Sequence, residues 1–214
     1  MPWALCARMR AVIICAGEIS DYDYIKSQVM ENDTVICADG GYNHTVRMGL
    51  SVSAVVGDFD SIGPAPMDVT VPVYRYPEKK DLTDSEIAVE YARAKGFKDF
   101  LFLAATGSRL DHTLTNILLL EGCLKRGENA VIVNEHNKIM ITGSELHLHE
   151  PAGTIVSLVP IAPCRGVGCE NLEYPLHDAD LFVGKGLGVS NVMRCENAKV
   201  TVREGVLLVI AARD

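Results

Sequence analysis

The sequence has 214 residues, of which 48% are hydrophobic and 22% are charged. These fractions are typical of a folded globular protein of one or two domains, and they exclude a largely disordered chain. The 20 Lys and Arg residues against 28 Asp and Glu residues give a net charge of −8, which argues against a broad nucleic-acid-binding surface because phosphate backbones need clustered cations.

The first part of the chain alternates short apolar runs with segments of helical periodicity. Strands are predicted at residues 11–16, 34–38, 54–56, 71–74, 100–104 and 130–133, and helices at residues 20–30, 41–48, 83–95 and 111–126. The third helix begins with a capping box, in which Thr83 and Glu86 satisfy each other's backbone amides. Strands that alternate with helices of this length predict a mainly parallel, Rossmann-like sheet flanked by helices over residues 9–134.

From about residue 135 onward the helical periodicity is lost and short runs with a period of two replace it. Strands are predicted at residues 138–142, 145–149, 154–159, 198–204 and 206–211. Glu204-Gly205 is typical of a tight hairpin turn, and Cys164 and Cys169 flank a segment that we interpret as a Pro/Gly-rich loop. The pattern predicts an antiparallel β-sandwich domain over residues 135–214.

Polar residues gather where the strands of the first domain end. In an open parallel sheet, ligands bind at the carboxyl ends of the strands. The segments that follow the predicted strands there contain glycines, carboxylates and a few cations, and these segments are 17–18, 39–41, 57–61, 77–84 and 106–112. We therefore expect the functional site at this edge of the sheet.

Asp58 and Asp60 are two residues apart, so an extended backbone directs both carboxylates to the same side. Like charges held that close need a cation between them, and Mg²⁺ binds through one or two carboxylates together with substrate phosphates. An isolated pair of this kind is more typical of a solvated turn than of a metal site. The presence of Asp39, Asp81 and Asp84 on the same edge favours the metal site.

Other residues of this edge suit a phosphorylated ligand. Gly40-Gly41 could bring amides of the next helix to an anion or could form a plain strand-to-helix turn. Arg109 and the lysines Lys79 and Lys80 could neutralise phosphate, although one of the two lysines is better explained as a surface cation. Asp111 is equally explained by function or by the helix N-terminus, where His112 and Asn116 share one helical face.

Two further patterns are interpreted as structural. The glycines of residues 184–188 lack the P-loop spacing, and no helix is predicted to follow them. His147 and His149 share a strand face without a third metal ligand nearby, so we expect a solvated surface. No apolar run is long enough to span a membrane, residues 1–10 are not typical of a signal peptide, and the seven cysteines form no C-x-x-C pair, so a cytoplasmic location is expected.

Several motifs in order resemble thiamine pyrophosphokinases of the bacterial type. They are Ala38-Asp39-Gly40-Gly41, Gly57-Asp58-Phe59-Asp60-Ser61, Lys80-Asp81-Leu82-Thr83-Asp84-Ser85-Glu86 and Gly107-Ser108-Arg109-Leu110-Asp111-His112, with Ser190-Asn191 near the C-terminus. The resemblance implies an α/β nucleotide-binding catalytic domain, a thiamine-binding β-sandwich domain and a homodimer whose active sites lie between subunits. It also implies that ATP and thiamine are the substrates, and that pyrophosphate moves from ATP to the thiamine hydroxyl.

Site roles follow from the resemblance residue by residue. The expected catalytic residues are Asp58, Asp60, Asp81, Asp84, Arg109 and Asp111. The expected Mg²⁺ ligands are Asp39, Asp58, Asp60 and Asp84. The expected ATP-binding residues are Asp39, Gly40, Gly41, Lys80, Thr106 and Gly107, and the expected thiamine-binding residues are His112, Asn116, Ser190 and Asn191. The alternatives are a kinase that transfers the γ-phosphoryl group and a non-catalytic module that senses thiamine or a nucleotide.

Overall fold

The computed structural model describes residues 9–57, 71–75 and 82–213, apart from the side chain of Arg75. These residues divide into two compact units. The first contains the described residues up to Leu119 together with Arg126–Glu135, and the second contains Leu120–Lys125 together with the residues from His136 onward. No helix in the described ranges is long and apolar enough to cross a membrane.

The first unit is a parallel sheet with helices packed against it. Its elements in chain order are β1 (Arg10–Ile14), α1 (Tyr22–Ser27), β2 (Thr34–Ala38), α2 (Gly41–Met48), β3 (Ala54–Gly57), β4 (Val73–Arg75), α3 (Asp84–Ala94), β5 (Asp99–Leu103), α4 (Leu110–Lys125) and β6 (Asn129–Val133). The strand order is β6-β5-β1-β2-β3-β4, and every pair is parallel. Helix α4 begins in the first unit and ends in the second.

The central strands are apolar on both faces, as a sheet covered by helices requires. Val12 and Ile14 of β1 pack in one cluster with Ile25 of α1 and Met48 of α2. Because side chains alternate along a strand, Ile13 points to the opposite face. Helix α3 contacts β1, β2 and β3, so both faces of this part of the sheet are covered.

Side chains of the preceding residues cap the first turns of α1 and α3. The side chain of Asp21 accepts the Tyr24 N–H at 2.9 Å and starts α1, which is shorter than the predicted helix. The predicted capping box of α3 is present, with the Thr83 N–H donating to Glu86 Oε2 at 2.7 Å and the Glu86 N–H donating to Thr83 Oγ1 at 3.3 Å. Helix α2 ends at Met48 and is capped by Gly49, whose φ of 64° is left-handed.

The second unit consists of antiparallel strands. They are β7 (Asn137–Thr142), β8 (Glu145–His149), β9 (Ile155–Pro160), β10 (Cys164–Glu170), β11 (Ala179–Leu181), β12 (Asn191–Val192), β13 (Asn197–Thr201) and β14 (Leu207–Ala212). Within this unit the strand orders are β12-β9-β14-β7 and β11-β10-β13-β8. The burial of alternate residues in β9 and β13 is typical of a β-sandwich. The predicted fold class, a parallel α/β part followed by an antiparallel β part, is confirmed.

Two local predictions for the second unit are wrong. Residues 164–170 form strand β10 rather than a loop, and the register shift between Cys164 and Val167, together with the φ of 64° at Gly166, interrupts the period that identifies a strand. Glu204-Gly205 does not close a hairpin, because β13 pairs with β8 and β10 whereas β14 pairs with β7 and β9.

Candidate active site

A cavity of about 420 Å³ lies at the carboxyl ends of the central strands of the first unit. Four segments line it: residues 15–18 after β1, residues 38–39 at the end of β2, residues 83–85 at the start of α3, and residues 104–109 after β5, which are followed by His112, Thr113 and Asn116 of α4. This is the edge of the sheet at which the sequence predicts a ligand site.

Asp39 is the most unusual side chain of the cavity. It is only 4% exposed, and its Oδ1 has no hydrogen-bond partner among the described residues. Its φ of 43° is left-handed, a conformation that Asp tolerates better than most residues. A Cβ at Gly57 would lie 2.9 Å from the Asp39 Cβ, so glycine at that position allows β3 to pass close to Asp39. A buried carboxylate oxygen without a donor is costly unless a bound cation or ligand satisfies it.

Asp84 brings a second carboxylate to the same cavity. It is the first residue of α3, between the capping residue Thr83 and Ser85, and all three line the cavity. The Ser85 hydroxyl lies 3.4 Å from the thiol of Cys15. Burial raises the pKa of Cys15 to about 11 against a smaller opposing effect of that hydrogen bond, so the thiol is protonated and unsuited to nucleophilic attack.

The segments that follow β1 and β5 are joined into one wall of the cavity. The Gly17 N–H donates to the Ala104 carbonyl at 2.7 Å, and the Glu18 N–H donates to the Thr106 carbonyl at 2.9 Å. A Cβ on Gly17 would lie 2.4 Å or less from those two carbonyl oxygens, so only glycine fits. Ala104 has a φ of 51°, a strained conformation for an alanine, and such strain is common at functional sites.

Glu18 extends this wall. Its Oε1 accepts the Ser108 N–H at 3.0 Å, and hydrogen bonding to Ser108 lowers the pKa of Glu18. Thr113 Oγ1 accepts the Gly107 N–H at 3.1 Å from the first turn of α4. Sequence reasoning assigned no role to Glu18 or Thr113. The available signals were the position of Glu18 directly after β1 and the spacing of Thr113 three residues before Asn116.

Arg109, which lines the cavity, forms an exposed ion pair with Asp111. Arg109 Nη2 lies 2.6 Å from Asp111 Oδ2, and the two side chains are 69% and 65% exposed. Hydrogen bonds from Arg109 and from the His112 backbone lower the pKa of Asp111 to about 2. The same pair raises the pKa of Arg109. Both groups are therefore charged at neutral pH, and Asp111 is a weak proton acceptor.

Of the remaining predicted residues of the first unit, some line the cavity and others do not. His112 and Asn116 line it, and Asn116 Nδ2 donates to the Ala105 carbonyl at 2.8 Å. Gly40 and Gly41 are not among the lining residues of this described cavity. A Cβ on Gly41 would lie 2.0 Å from the Ile14 carbonyl oxygen, so this glycine is required for the close packing of α2 on the end of β1.

Four of the predicted site residues lie outside the described residues. They are Asp58, Asp60, Lys80 and Asp81. Within the described ranges, no group of three or more His, Cys, Asp or Glu side chains is placed to hold a metal ion. Of the four expected metal ligands, Asp39 and Asp84 are the two that lie among the described residues.

Ser190 and Asn191 belong to the second unit. Ser190 has a φ of 60°, and its N–H donates to Ser157 Oγ at 3.1 Å. Asn191 is 3% exposed; its side chain accepts the Tyr174 N–H at 3.0 Å and donates to the Tyr174 carbonyl at 2.7 Å. The Asn191 amide therefore fixes the backbone at Tyr174.

Comparison with known proteins identifies the family. The sequence model described as thiamin pyrophosphokinase, catalytic domain, matches residues 25–132, and the model described as thiamin pyrophosphokinase, vitamin B1 binding domain, matches residues 144–207. A thiamine pyrophosphokinase of Bacillus subtilis is 25% identical over 191 residues, which cover 86% of this chain and 89% of that protein.

Solved structures share the fold. The crystal structure of the Bacillus subtilis thiamine pyrophosphokinase has a TM-score of 0.86 at 23% identity, covering 96% of this chain and 99% of that one. The yeast enzyme has a TM-score of 0.77 at 15% identity, covering 97% of this chain and 87% of that one. With family models matched over both units, the chain belongs to the thiamine pyrophosphokinase family of transferases.

Proposed function

We propose that this chain catalyses the Mg²⁺-dependent transfer of a pyrophosphoryl group from ATP to the hydroxyl group of thiamine, giving thiamine diphosphate and AMP. Membership of the family supports the reaction class. The observation that carries the metal dependence is the buried Asp39 carboxylate, whose Oδ1 has no hydrogen-bond partner in the described chain and which shares its cavity with Asp84. Paired carboxylates suit Mg²⁺, which binds oxygen ligands.

In this proposal Asp39 and Asp84 would hold the metal together with Asp58 and Asp60. Bound Mg²⁺ would neutralise charge on the phosphate oxygens of ATP, which lowers the barrier to attack by a neutral alcohol. Arg109, which lines the cavity, adds positive charge there. The thiazolium cation of thiamine is compatible with a site rich in carboxylates.

The transfer itself is a substitution at the β-phosphorus. The thiamine hydroxyl oxygen forms a bond to that phosphorus, the bond to the oxygen bridging the α- and β-phosphates breaks, and AMP leaves with that oxygen. The hydroxyl proton passes to a carboxylate. The carboxylates that we propose as the acceptor are Asp111 and Asp81.

We propose binding positions for ATP and thiamine on the cavity wall and on α4. We assign the ATP phosphates to the wall that contains Thr106 and Gly107, together with Lys80 and the Gly40-Gly41 turn. We assign thiamine to His112 and Asn116 on α4 and to the Ser190-Asn191 segment. The domain roles expected from the sequence remain part of this proposal, as does a homodimer whose active sites lie between subunits. Analytical ultracentrifugation tests the dimer.

The experiment that tests the function is an identification of products. The protein is incubated with ATP, thiamine and Mg²⁺, and the products are separated chromatographically. We expect thiamine diphosphate and AMP in equal amounts, and neither product when EDTA is present. Asp60→Asn should abolish the products, whereas Asp23→Asn, a matched change on the exposed side of α1, should leave the rate unchanged within about twofold.

The same assay separates the alternatives. Thiamine monophosphate with ADP would identify γ-phosphoryl transfer. Binding of thiamine or of nucleotide without any product would identify a sensing module. Near-normal turnover of Asp60→Asn would contradict the metal role of that residue. The cytoplasmic location is part of the same proposal, and cell fractionation followed by immunoblotting tests it.

A further inference from the structure

His44 has two hydrogen-bond partners, and one of them, Gly17, connects α2 to the cavity wall. Its Nε2 lies 2.8 Å from the carbonyl oxygen of Gly17, and its Nδ1 lies 2.7 Å from the hydroxyl of Tyr22. The ring is partly buried, and Gly17 is 27 residues away in sequence. His44 therefore joins helix α2 to the segment that follows β1.

The Gly17 carbonyl fixes the position of one proton on the ring. A carbonyl oxygen only accepts, so Nε2 carries the proton and donates to Gly17. Nδ1 of the neutral ring then accepts the Tyr22 O–H. Burial, and to a smaller extent the charge of Arg47, lowers the pKa of His44 despite the opposing hydrogen bond to Gly17, and this keeps the ring neutral at pH 7.

The carbonyl that His44 holds belongs to the cavity wall. On the other side of the same residue, the Gly17 N–H donates to the Ala104 carbonyl at 2.7 Å, and no Cβ would fit there. The next residue, Glu18, accepts the N–H of Ser108, which directly precedes Arg109. A shift of the Gly17 carbonyl would therefore be transmitted to the segment that presents Arg109 to the ligand.

We propose that His44 is a positioning residue for nucleotide binding, which acts through the Gly17 carbonyl to hold the wall formed by Gly17, Glu18 and Ser108. The inference rests on the proposed function in that the ligand of this wall is taken to be the triphosphate of ATP. His44 does not touch the nucleotide in this account. Its contribution is to limit the number of positions that the wall can adopt before ATP binds.

Two amide variants separate the two hydrogen bonds of the ring. The amide of His44→Gln reaches about as far as Nε2 and can still donate to Gly17. The shorter amide of His44→Asn overlaps the position of Nδ1, so it can still bond Tyr22 but falls short of Gly17. Thr45→Val is the structural control, because it removes a buried 2.7 Å hydrogen bond to the Tyr42 carbonyl within the same helix.

The readouts are the affinity for a non-hydrolysable ATP analogue with Mg²⁺, measured by calorimetry, the KM for ATP, kcat and the melting temperature. We expect His44→Asn to weaken analogue binding and to raise the KM for ATP by about tenfold each, with a smaller fall in kcat. We expect His44→Gln to stay within about threefold of the unmodified protein. Thr45→Val should lower the melting temperature and leave the affinity unchanged.

Equal affinities of His44→Asn and His44→Gln would overturn the positioning role. So would a loss of affinity in Thr45→Val as large as that in His44→Asn, since the effect would then follow helix stability. An unmodified protein that binds the analogue but forms no thiamine diphosphate would contradict the proposed function alone, and the ratio of the affinities would still decide the role of His44. Absence of analogue binding by the unmodified protein would overturn both.

Discussion

Two carboxylates of this protein are almost equally buried, yet the chain surrounds them in opposite ways. Asp39 in the first unit is 4% exposed, and its Oδ1 has no hydrogen-bond partner in the described chain. Glu150 in the second unit is 7% exposed, and it accepts hydrogen bonds from Lys138 Nζ at 2.8 Å and Arg213 Nη2 at 3.1 Å. Burial alone would raise the pKa of Glu150, but the two cations bring that pKa below its ordinary value.

We interpret the difference as that between a carboxylate that stabilises the fold and one that a bound ligand would satisfy. The cations around Glu150 compensate its burial from within the chain, so this carboxylate contributes to folding. Asp39 lies close to Gly57 and lines a cavity, and its Oδ1 accepts no hydrogen bond from the described residues. We infer that folding is less favourable with Asp39 than with a neutral residue of the same shape, and that ligand binding recovers this cost.

The largest expected effect is that of Asp39→Asn. Asn tolerates the left-handed φ of 43°, so this change removes the charge without straining the backbone. We expect kcat/KM for the pyrophosphoryl transfer to fall by about 100-fold or more, because the metal loses a ligand. The free energy of unfolding without ligand should stay equal or rise by up to about 1 kcal/mol. Steady-state kinetics and urea denaturation measure the two quantities.

A stability loss in Asp39→Asn of the kind expected for Glu150 would break the comparison. It would mean that the Asp39 carboxylate contributes to folding through groups outside the described residues. Unchanged kinetics in the same variant would remove Asp39 from the metal site.

Gly41 belongs to the same motif as Asp39, two residues further on, but it has a packing role. It therefore sharpens the comparison. A Cβ there would meet the Ile14 carbonyl oxygen at 2.0 Å. We expect Gly41→Ala to lower the free energy of unfolding by about 2–3 kcal/mol. The control is Gly122→Ala in α4, where a Cβ meets no atom within 4 Å, and which should gain about 0.5–1 kcal/mol. Equal stabilities of the two variants would contradict this packing role.

Glu150→Gln tests the other side of the comparison. Removing the charge abolishes the ion pairs of Glu150 with Lys138 and Arg213, both of which are partly exposed. We expect the free energy of unfolding at pH 7 to fall by about 1–2 kcal/mol, with solvent screening limiting the loss. The kcat/KM should change by less than about twofold. If activity fell by more than the loss of stability explains, Glu150 would belong to the active site.

The pH dependence of the same variant has a definite sign. The pKa of Glu150 is lower in the folded protein than its ordinary value of 4.5, so the ionised carboxylate stabilises the fold fully above that value. This contribution is lost as the pH falls through the folded pKa. The stability gap between the unmodified protein and Glu150→Gln should therefore be constant from pH 7 to pH 5 and shrink below pH 4.5. A gap that grows with acidity would contradict the ion pairs.

Much of the fold could be predicted from local patterns. The ends of β2 and α2 agree with the prediction because a buried apolar run, a glycine turn and a left-handed Gly49 mark them in the sequence. Strand β10 could not be predicted, since its bulge at Gly166 breaks the period of two. The turn at Gly205 was misread because local sequence does not say which sheet each flanking strand joins.

The candidate site was less predictable than the fold. The rule that ligands bind at the ends of parallel strands brought Asp39 and Asp84 to one edge, and both line the cavity. Their ligands stay a proposal. Glu18 and His44 were missed because their partners are main-chain groups far away in sequence, at Ser108 and Gly17. Residue types alone do not show which backbone amide or carbonyl a side chain will meet.

The central claim is that the unpaired oxygen of Asp39 is a ligand of the divalent cation that binds with ATP. Calorimetric titration of a non-hydrolysable ATP analogue, with Mg²⁺ and with EDTA, tests it on the unmodified protein and on Asp39→Asn. We expect Mg²⁺ to raise the affinity of the unmodified protein by about 100-fold and that of Asp39→Asn by less than about tenfold. The same gain from Mg²⁺ in both proteins would contradict the claim.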